Sequence, residues 1–152
     1  MLILGSMPGE ESLRQQQYYA HPRNQFWPII CEILSLDMAA DYQARTQALI
    51  DHGIALWDVI GQCRRQGSLD TSIVAASVEV NDFASLLSEY DSIEHIFFNG
   101  RKAESEFNRR VLPGLSLSRT IHLHLLPSTS PAHAGMSRAD KLLQWSQIKQ
   151  PL

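Results

Sequence analysis

Apolar residues in this chain fall into two patterns that alternate along it, short dense runs and helical spacings. The runs are Leu2-Ile3-Leu4, Ile54 to Val59, Ile93 to Phe98 and Ile121 to Leu126. Being mostly apolar rather than polar at every second position, they predict strands buried on both faces, as in a parallel sheet covered by helices. Between them lie the helical spacings. Phe26, Trp27, Ile30, Ile33 and Leu34 follow Asn24, a good N-cap, with Pro28 tolerated in the first turn. Further helices are expected from Ala39 to His52 before Gly53, from Asn81 or Asp82 through Leu87, from Arg101 to Arg110 before Pro113-Gly114, and from Ser137 through Ile148. The polar stretch up to His21-Pro22 reads as loop, and Gln62 to Val78 as an irregular connection. Strands alternating with helices in this way specify one α/β domain over residues 1–152.

A chain of 152 residues, 44% hydrophobic and 19% charged, supports one sizeable core and is too apolar for a disordered tail. No apolar run approaches the roughly 18 residues of a membrane span. With no leader pattern ahead of Leu2, the expected compartment is the cytoplasm. Cys31 and Cys63 are far apart and outside any CxxC spacing, so a disulfide framework, a zinc site and an iron–sulfur cluster all lack ligands. Neither a metal nor a cofactor is expected.

The formal net charge of −3 argues at first against a protein that grips nucleic acid. Its distribution changes that picture. Residues 1–100 hold 5 Lys/Arg against 13 Asp/Glu, a balance of −8, whereas residues 101–152 hold 8 against 3, a balance of +5. Arg101, Lys102, Arg109, Arg110, Arg119, Arg138, Lys141 and Lys149 dominate the last third, where they form either a basic face or a scatter of solvated cations.

In a parallel α/β sheet, ligands bind at the carboxyl ends of the strands, and the chemically unusual residues of this chain cluster there. Gly5-Ser6-Met7-Pro8-Gly9 ends the first strand with backbone amides at Ser6, Met7 and Gly9 that no strand requires. It has neither the GxGxxG nor the GxxxxGK[ST] spacing, so dinucleotide and P-loop sites are excluded. Tyr18 through Trp27 then place two tyrosines, a histidine, an arginine and two amides in one connection, aromatics suited to stacking a base and amides suited to reading its edge or holding a water. Packing into the core competes with that role for each aromatic. Ser128, Thr129, Ser130 and Ser137 precede a helix N-terminus, which suits phosphate contact or an ordinary strand-to-helix turn. His122 and His124 share a strand face but lack a third nearby ligand, and His133 lies in the loop itself.

Taken together, Leu4-Gly5-Ser6-Met7-Pro8-Gly9, Gln17 to Trp27, Gly53 to Val59 and Leu126-Pro127-Ser128-Thr129-Ser130-Pro131-Ala132 resemble the motifs of the uracil-DNA glycosylase superfamily, most closely its hypoxanthine (deoxyinosine) branch. The resemblance covers most of the chain. It implies a three-layer α/β/α fold around a central four-stranded parallel sheet, and a monofunctional enzyme that flips a deaminated base out of double- or single-stranded DNA and hydrolyses its N-glycosidic bond. The implied preference is hypoxanthine, with uracil second. No metal, cofactor or membrane is implied, and the enzyme is expected to act as a monomer.

The resemblance also implies roles for individual residues. Where the mismatch-specific uracil branch has a catalytic Asn, this chain has Met7, which cannot orient water. The hypoxanthine branch is similar in having an apolar residue there, and its essential amide corresponds to Asn24. Ser6 and Met7 would face the base with their amides, Tyr19 would stack on it, and Asn99 would read its edge with both ends of its side-chain amide. Ser128, Thr129 and Ser130 would contact DNA phosphates, and Ala132 and His133 would wedge the vacated stack. His133 departs from the Asn more usual in that branch, so that a wedge, a base contact and a proton donor are all open to it, and the chain begins directly at the first strand. Two other classes of function fit the same residues: a non-catalytic module for nucleotides or single strands, and a hydrolase of free nucleosides.

Overall fold

Four parallel strands form the centre of the computed structural model, which describes residues 1–151. They are β1 (Leu2–Gly5), β2 (Ala55–Asp58), β5 (His95–Asn99) and β6 (His122–Leu126), in the order β2-β1-β5-β6. Leu2, Ile3 and Leu4 are buried because β1 is flanked by strands on both sides and covered on both faces. The order places β1 and β5 at the centre, so their carboxyl ends adjoin one crevice.

Two apolar layers sandwich the central strands, whereas the edge strand β6 keeps Leu123 and Leu125 exposed, against the expectation of burial on both faces, because no helix covers it fully. One is built on α2 (Phe26–Leu34) and α6 (Arg138–Trp145), whose Phe26, Ile29, Ile30 and Trp145 pack with Ile3, Phe97 and Leu126. The other is built on α4 (Phe83–Glu89) and α5 (Arg101–Glu106), whose Phe83, Leu87 and Ala103, with Phe107 just beyond α5, cover Leu2, Leu4, Ile96 and Phe98. This is the three-layer α/β/α architecture expected. Ser137 caps α6 by accepting the Asp140 amide, as its sequence position predicted, and of the two candidates Asn81 and Asp82 it is Asp82 that caps α4, accepting the Ser85 amide.

Several expectations are corrected by the structure. The polar stretch after Gly9 contains a helix, α1 (Glu10–Gln15), with no buried residue and hence no apolar stripe to announce it. The helix expected from Ala39 is α3 (Tyr42–Asp51), started by the Asp41 side chain accepting the Ala44 amide. Gln25 rather than Asn24 occupies the N-cap position of α2, and Asn24 instead accepts the Phe26 amide from one residue further out. Beyond Glu106 the helix widens into a π turn (Phe107–Val111) before a 3-10 turn over Leu112–Gly114. The irregular Gln62–Val78 connection carries two 3-10 turns and is tied at its base by β3 (Ile60–Gln62) pairing antiparallel with β4 (Glu79–Val80). Its third apolar cluster, Ile60, Ile73 and Val78 with Met7 against them, folds this excursion back onto the first strand-end loop.

Candidate active site

A crevice of about 150 Å³ opens at the carboxyl ends of β1, β2 and β5. That is less than the roughly 300 Å³ at which pockets for drug-sized ligands begin, and suits one flat group. Its walls come from the Gly5–Gly9 loop, the Tyr18–Asn24 connection, the excursion at Ser68–Asp70 and the Ser128–Ala132 loop. Of the residues singled out in the sequence, Ser6, Met7, Tyr19, Asn24, Asn99, Ser128, Thr129, Ser130 and Ala132 line it, and His133 does not.

Asn24 is held by its own turn. Its backbone amide donates to the His21 carbonyl, and the Phe26 amide donates to its Oδ1 at 2.9 Å, which fixes which end of the side-chain amide is oxygen. The Nδ2 group and the second lone pair of Oδ1 are left for the crevice. The connection that carries Asn24 is pinned from behind: Trp27 donates its ring N–H to the Tyr18 carbonyl, and the Tyr18 amide donates to Tyr42 Oη. Tyr19 sits in the left-handed region at φ 55°, and its ring stacks on Phe26 at 3.9 Å between centroids, so one face is backed by the core. Burial holds the Tyr18 phenol up at about 12, and that of Tyr19 is raised further by the same cause.

The amides of Ser6 and Met7 donate to no backbone carbonyl, as the loop sequence suggested. The Ser6 hydroxyl donates to Asp70 Oδ1 at 2.7 Å, and the Met7 side chain turns away to contact Cys63 and the third cluster, leaving its backbone toward the crevice.

Asn99 and Thr129 hold each other. Asn99 Nδ2 donates to Thr129 Oγ1 and the Thr129 amide donates to Asn99 Oδ1, each at 2.8 Å. Thr129 is fully buried and its carbonyl accepts the Gln25 amide, so it bolts β5, its own loop and the Asn24 turn together and cannot reach a phosphate. Asn99 therefore keeps one N–H and one lone pair for the crevice, not the whole amide. Ser128 and Ser130 differ from Thr129. Each hydroxyl oxygen accepts an amide two residues on, from Ser130 and Ala132, which leaves its O–H free to donate outward. Ala132 and His133 are exposed beyond them, and the His133 carbonyl accepts from the buried Lys141 ammonium at 2.9 Å.

The basic residues are mostly spoken for. Lys102, Arg109 and Arg110 surround the buried Glu106, and Arg138 pairs with Glu32, whereas Arg23 and Arg101, beside the crevice walls, have no ion pair among the described residues. His122 and His124 lie beside His95, and no group of three or more His, Cys, Asp or Glu among the described residues converges as a metal site.

Motif reading passed over Asp58, which lines the crevice from the end of β2 and is 7% exposed. Burial, reinforced by the nearby Asp70 carboxylate and opposed by Arg65, pushes its carboxyl up to about 7. The folded state therefore binds one proton more than the unfolded chain between the ordinary aspartate range and about pH 7, and its stability falls as pH rises across that window. Asp58→Asn is expected to remove this slope and to stabilise the protein above pH 8 by up to about 4 kcal/mol, checked by thermal melts of both proteins from pH 5 to 9.

The sequence profile described as the Uracil DNA glycosylase superfamily matches residues 1–149. A Methanosarcina acetivorans protein named hypoxanthine DNA glycosylase is 36% identical over 97% of this chain and 89% of its own length. Its namesake from Methanosarcina barkeri is 40% identical over 68% of this chain, a stretch spanning 65% of that relative. The solution NMR structure of a candidate uracil DNA glycosylase from Methanosarcina acetivorans superposes with a TM-score of 0.75 at 31% identity, covering 98% of this chain and 90% of that one. With this profile running through both strand-end loops that build the crevice, the chain belongs to the uracil DNA glycosylase superfamily.

Proposed function

We propose that this protein is a monofunctional DNA glycosylase that removes a deaminated base from DNA, hypoxanthine first and uracil second, as a monomer and without metal or cofactor. The observation that carries this reading is Asn24: a neutral amide fixed in orientation by the Phe26 N–H, at the edge of a base-sized crevice. An amide cannot take a proton from water, but it holds one in line with C1′ while the glycosidic bond breaks. Positive charge then develops on the sugar and negative charge on the base, and the unengaged amides of Ser6 and Met7 are placed to stabilise the leaving group. Tyr19, backed by Phe26, offers a stacking face, and the Ser128 and Ser130 hydroxyls offer donors to phosphates flanking the flipped nucleotide. Ala132 and His133 would enter the vacated stack, and Arg23 and Arg101 would supply local attraction despite the acidic total.

No lysine lines the crevice among the described residues, and the Lys141 ammonium is committed to the His133 carbonyl. A Schiff base, and with it strand cleavage by the enzyme itself, is therefore not part of the reaction proposed. The test is a panel of oligonucleotides bearing inosine, uracil, xanthine or a G·T mismatch, treated with protein and then with alkali. Alkali-dependent cleavage at inosine, with slower cleavage at uracil, is the expected result. Cleavage confined to uracil would overturn the preference, and binding without any abasic product would return the chain to the class of nucleic-acid binding modules.

A further inference from the structure

Asp58 lines the crevice, and the scheme above gives it no part. It pairs in register with Gly5, and a Cβ on Gly5 would overlap its Oδ1 and stand 3.3 Å from Tyr19 Oη, so the carboxyl and the phenol converge over the bare Gly5 backbone. Only a glycine leaves room for them. Among the described residues no N–H or O–H donates to either carboxyl oxygen. The Asn81 side-chain Nδ2 donates to the Asp58 main-chain carbonyl, the Ser6 hydroxyl donates to Asp70, and the Arg65 guanidinium donates to the Pro8 carbonyl. Tyr19 Oη is itself shut off from solvent, with the Asn99 side chain beside it.

An ionised carboxylate so buried and so undonated is strongly disfavoured, and the neutral acid is a hydrogen-bond donor. The groups that face it act accordingly. Asp70 from the excursion opposes its ionisation, Arg65 from the same excursion favours it less strongly, and Tyr18 and Tyr19 bring uncharged phenols. Asn99 on β5 is uncharged, and Glu11 and His21 belong to other parts of the crevice lining.

Resting on the glycosylase reading, we propose that Asp58 is the general acid of base release: its carboxyl donates a hydrogen bond to an acceptor atom of the flipped purine and passes its proton there as the bond to C1′ breaks. The electron pair of the C1′–N9 bond goes to the base, where the Asp58 proton neutralises it. The oxygen of the water held by Asn24 bonds to C1′, and the proton that this water sheds returns through solvent to the Asp58 carboxylate, restoring the acid. Asn24 and Asp58 thus divide the work, one placing the nucleophile and the other discharging the leaving group.

The test is single-turnover release of hypoxanthine from an inosine duplex between pH 5.5 and 9 by the unmodified protein, Asp58→Asn and Asn24→Ala, with melting curves to show that each is folded. The unmodified rate is expected to be flat at low pH and to fall about tenfold per pH unit above the Asp58 titration near 7. Asp58→Asn keeps the side-chain volume and a donor but has no proton to transfer, so its rate at pH 6 is expected to be at least about 10²-fold lower and independent of pH. Asn24→Ala is expected to lower the rate at every pH while keeping the fall. An Asp58→Asn profile that keeps the same fall, or equals the unmodified rate, overturns the acid role. An unmodified rate that rises through pH 7 also overturns it, since Asp58 would then act as a base. An unmodified protein that releases no base from inosine overturns the substrate reading itself, a result distinct from either.

Discussion

Replacing Asn24 with alanine is expected to lower single-turnover base release from an inosine duplex by at least about 10²-fold, because without the amide the attacking water is no longer held in line with C1′. Affinity for the same duplex should change little, since Ser128, Ser130 and the Ser6 and Met7 amides are untouched. The substitution also deprives the Phe26 amide of its acceptor at the start of α2, at a cost of about 1 kcal/mol. Asn24→Ser, which keeps an oxygen within reach of that amide, is expected to recover the stability without recovering the activity. Excision by Asn24→Ala at the unmodified rate would remove Asn24 from the mechanism.

The second large effect is expected at Gly100, where the requirement is conformational. Its φ of 99° and ψ of 159° lie in a region that essentially only glycine occupies, and a Cβ there would stand 2.9 Å from Ser128 Cβ. Its amide meets the Leu126 carbonyl at 3.0 Å, so this backbone joins the ends of β5 and β6 directly beneath the Ser128–Ala132 loop. Gly100→Ala is expected to cost about 2–3 kcal/mol, seen as a fall in melting temperature of several degrees for a domain of this size. It is also expected to slow excision by about tenfold or more, because relieving the contact moves Ser128 away from the crevice. Gly114→Ala is the matching comparison, since a Cβ there meets nothing within 4 Å and its φ is not positive. An unchanged melting temperature for Gly100→Ala would refute the account of this corner.

Much of this was legible without coordinates. The four apolar runs became the four strands, and Asp82 and Ser137 became caps, because each rests on local chemistry that a few neighbouring residues decide. The crevice residues of the two long motifs were also readable, being short stretches at strand ends that recur together across a superfamily. Helix α1 escaped because it buries nothing, and the Gln62–Val78 excursion escaped because Ile73 and Val78 are too sparse to show a period.

Asp58 shows where such reading stops. In the sequence it is one acid within Leu56-Trp57-Asp58-Val59, no different from the acids that end up solvated. Its neighbours Gly5, Tyr19 and Asp70 come from three distant parts of the chain, and its environment exists only once they meet. The same holds for Asn99 and Thr129, whose mutual hydrogen bonds brace the ends of two strands and leave only part of the Asn99 amide to the crevice.

The sequence by itself therefore determined the four sheet strands, the helices that pack on them, the family, and most of the residues brought to the strand ends, since periodicity, capping and motif are properties of contiguous chain. Only the tertiary structure decided which polar atoms remain available there. Burial and hydrogen-bond occupancy depend on partners far away in sequence, and they left Asn24 Nδ2, the Ser6 and Met7 amides and the Asp58 carboxyl unengaged while closing off Thr129.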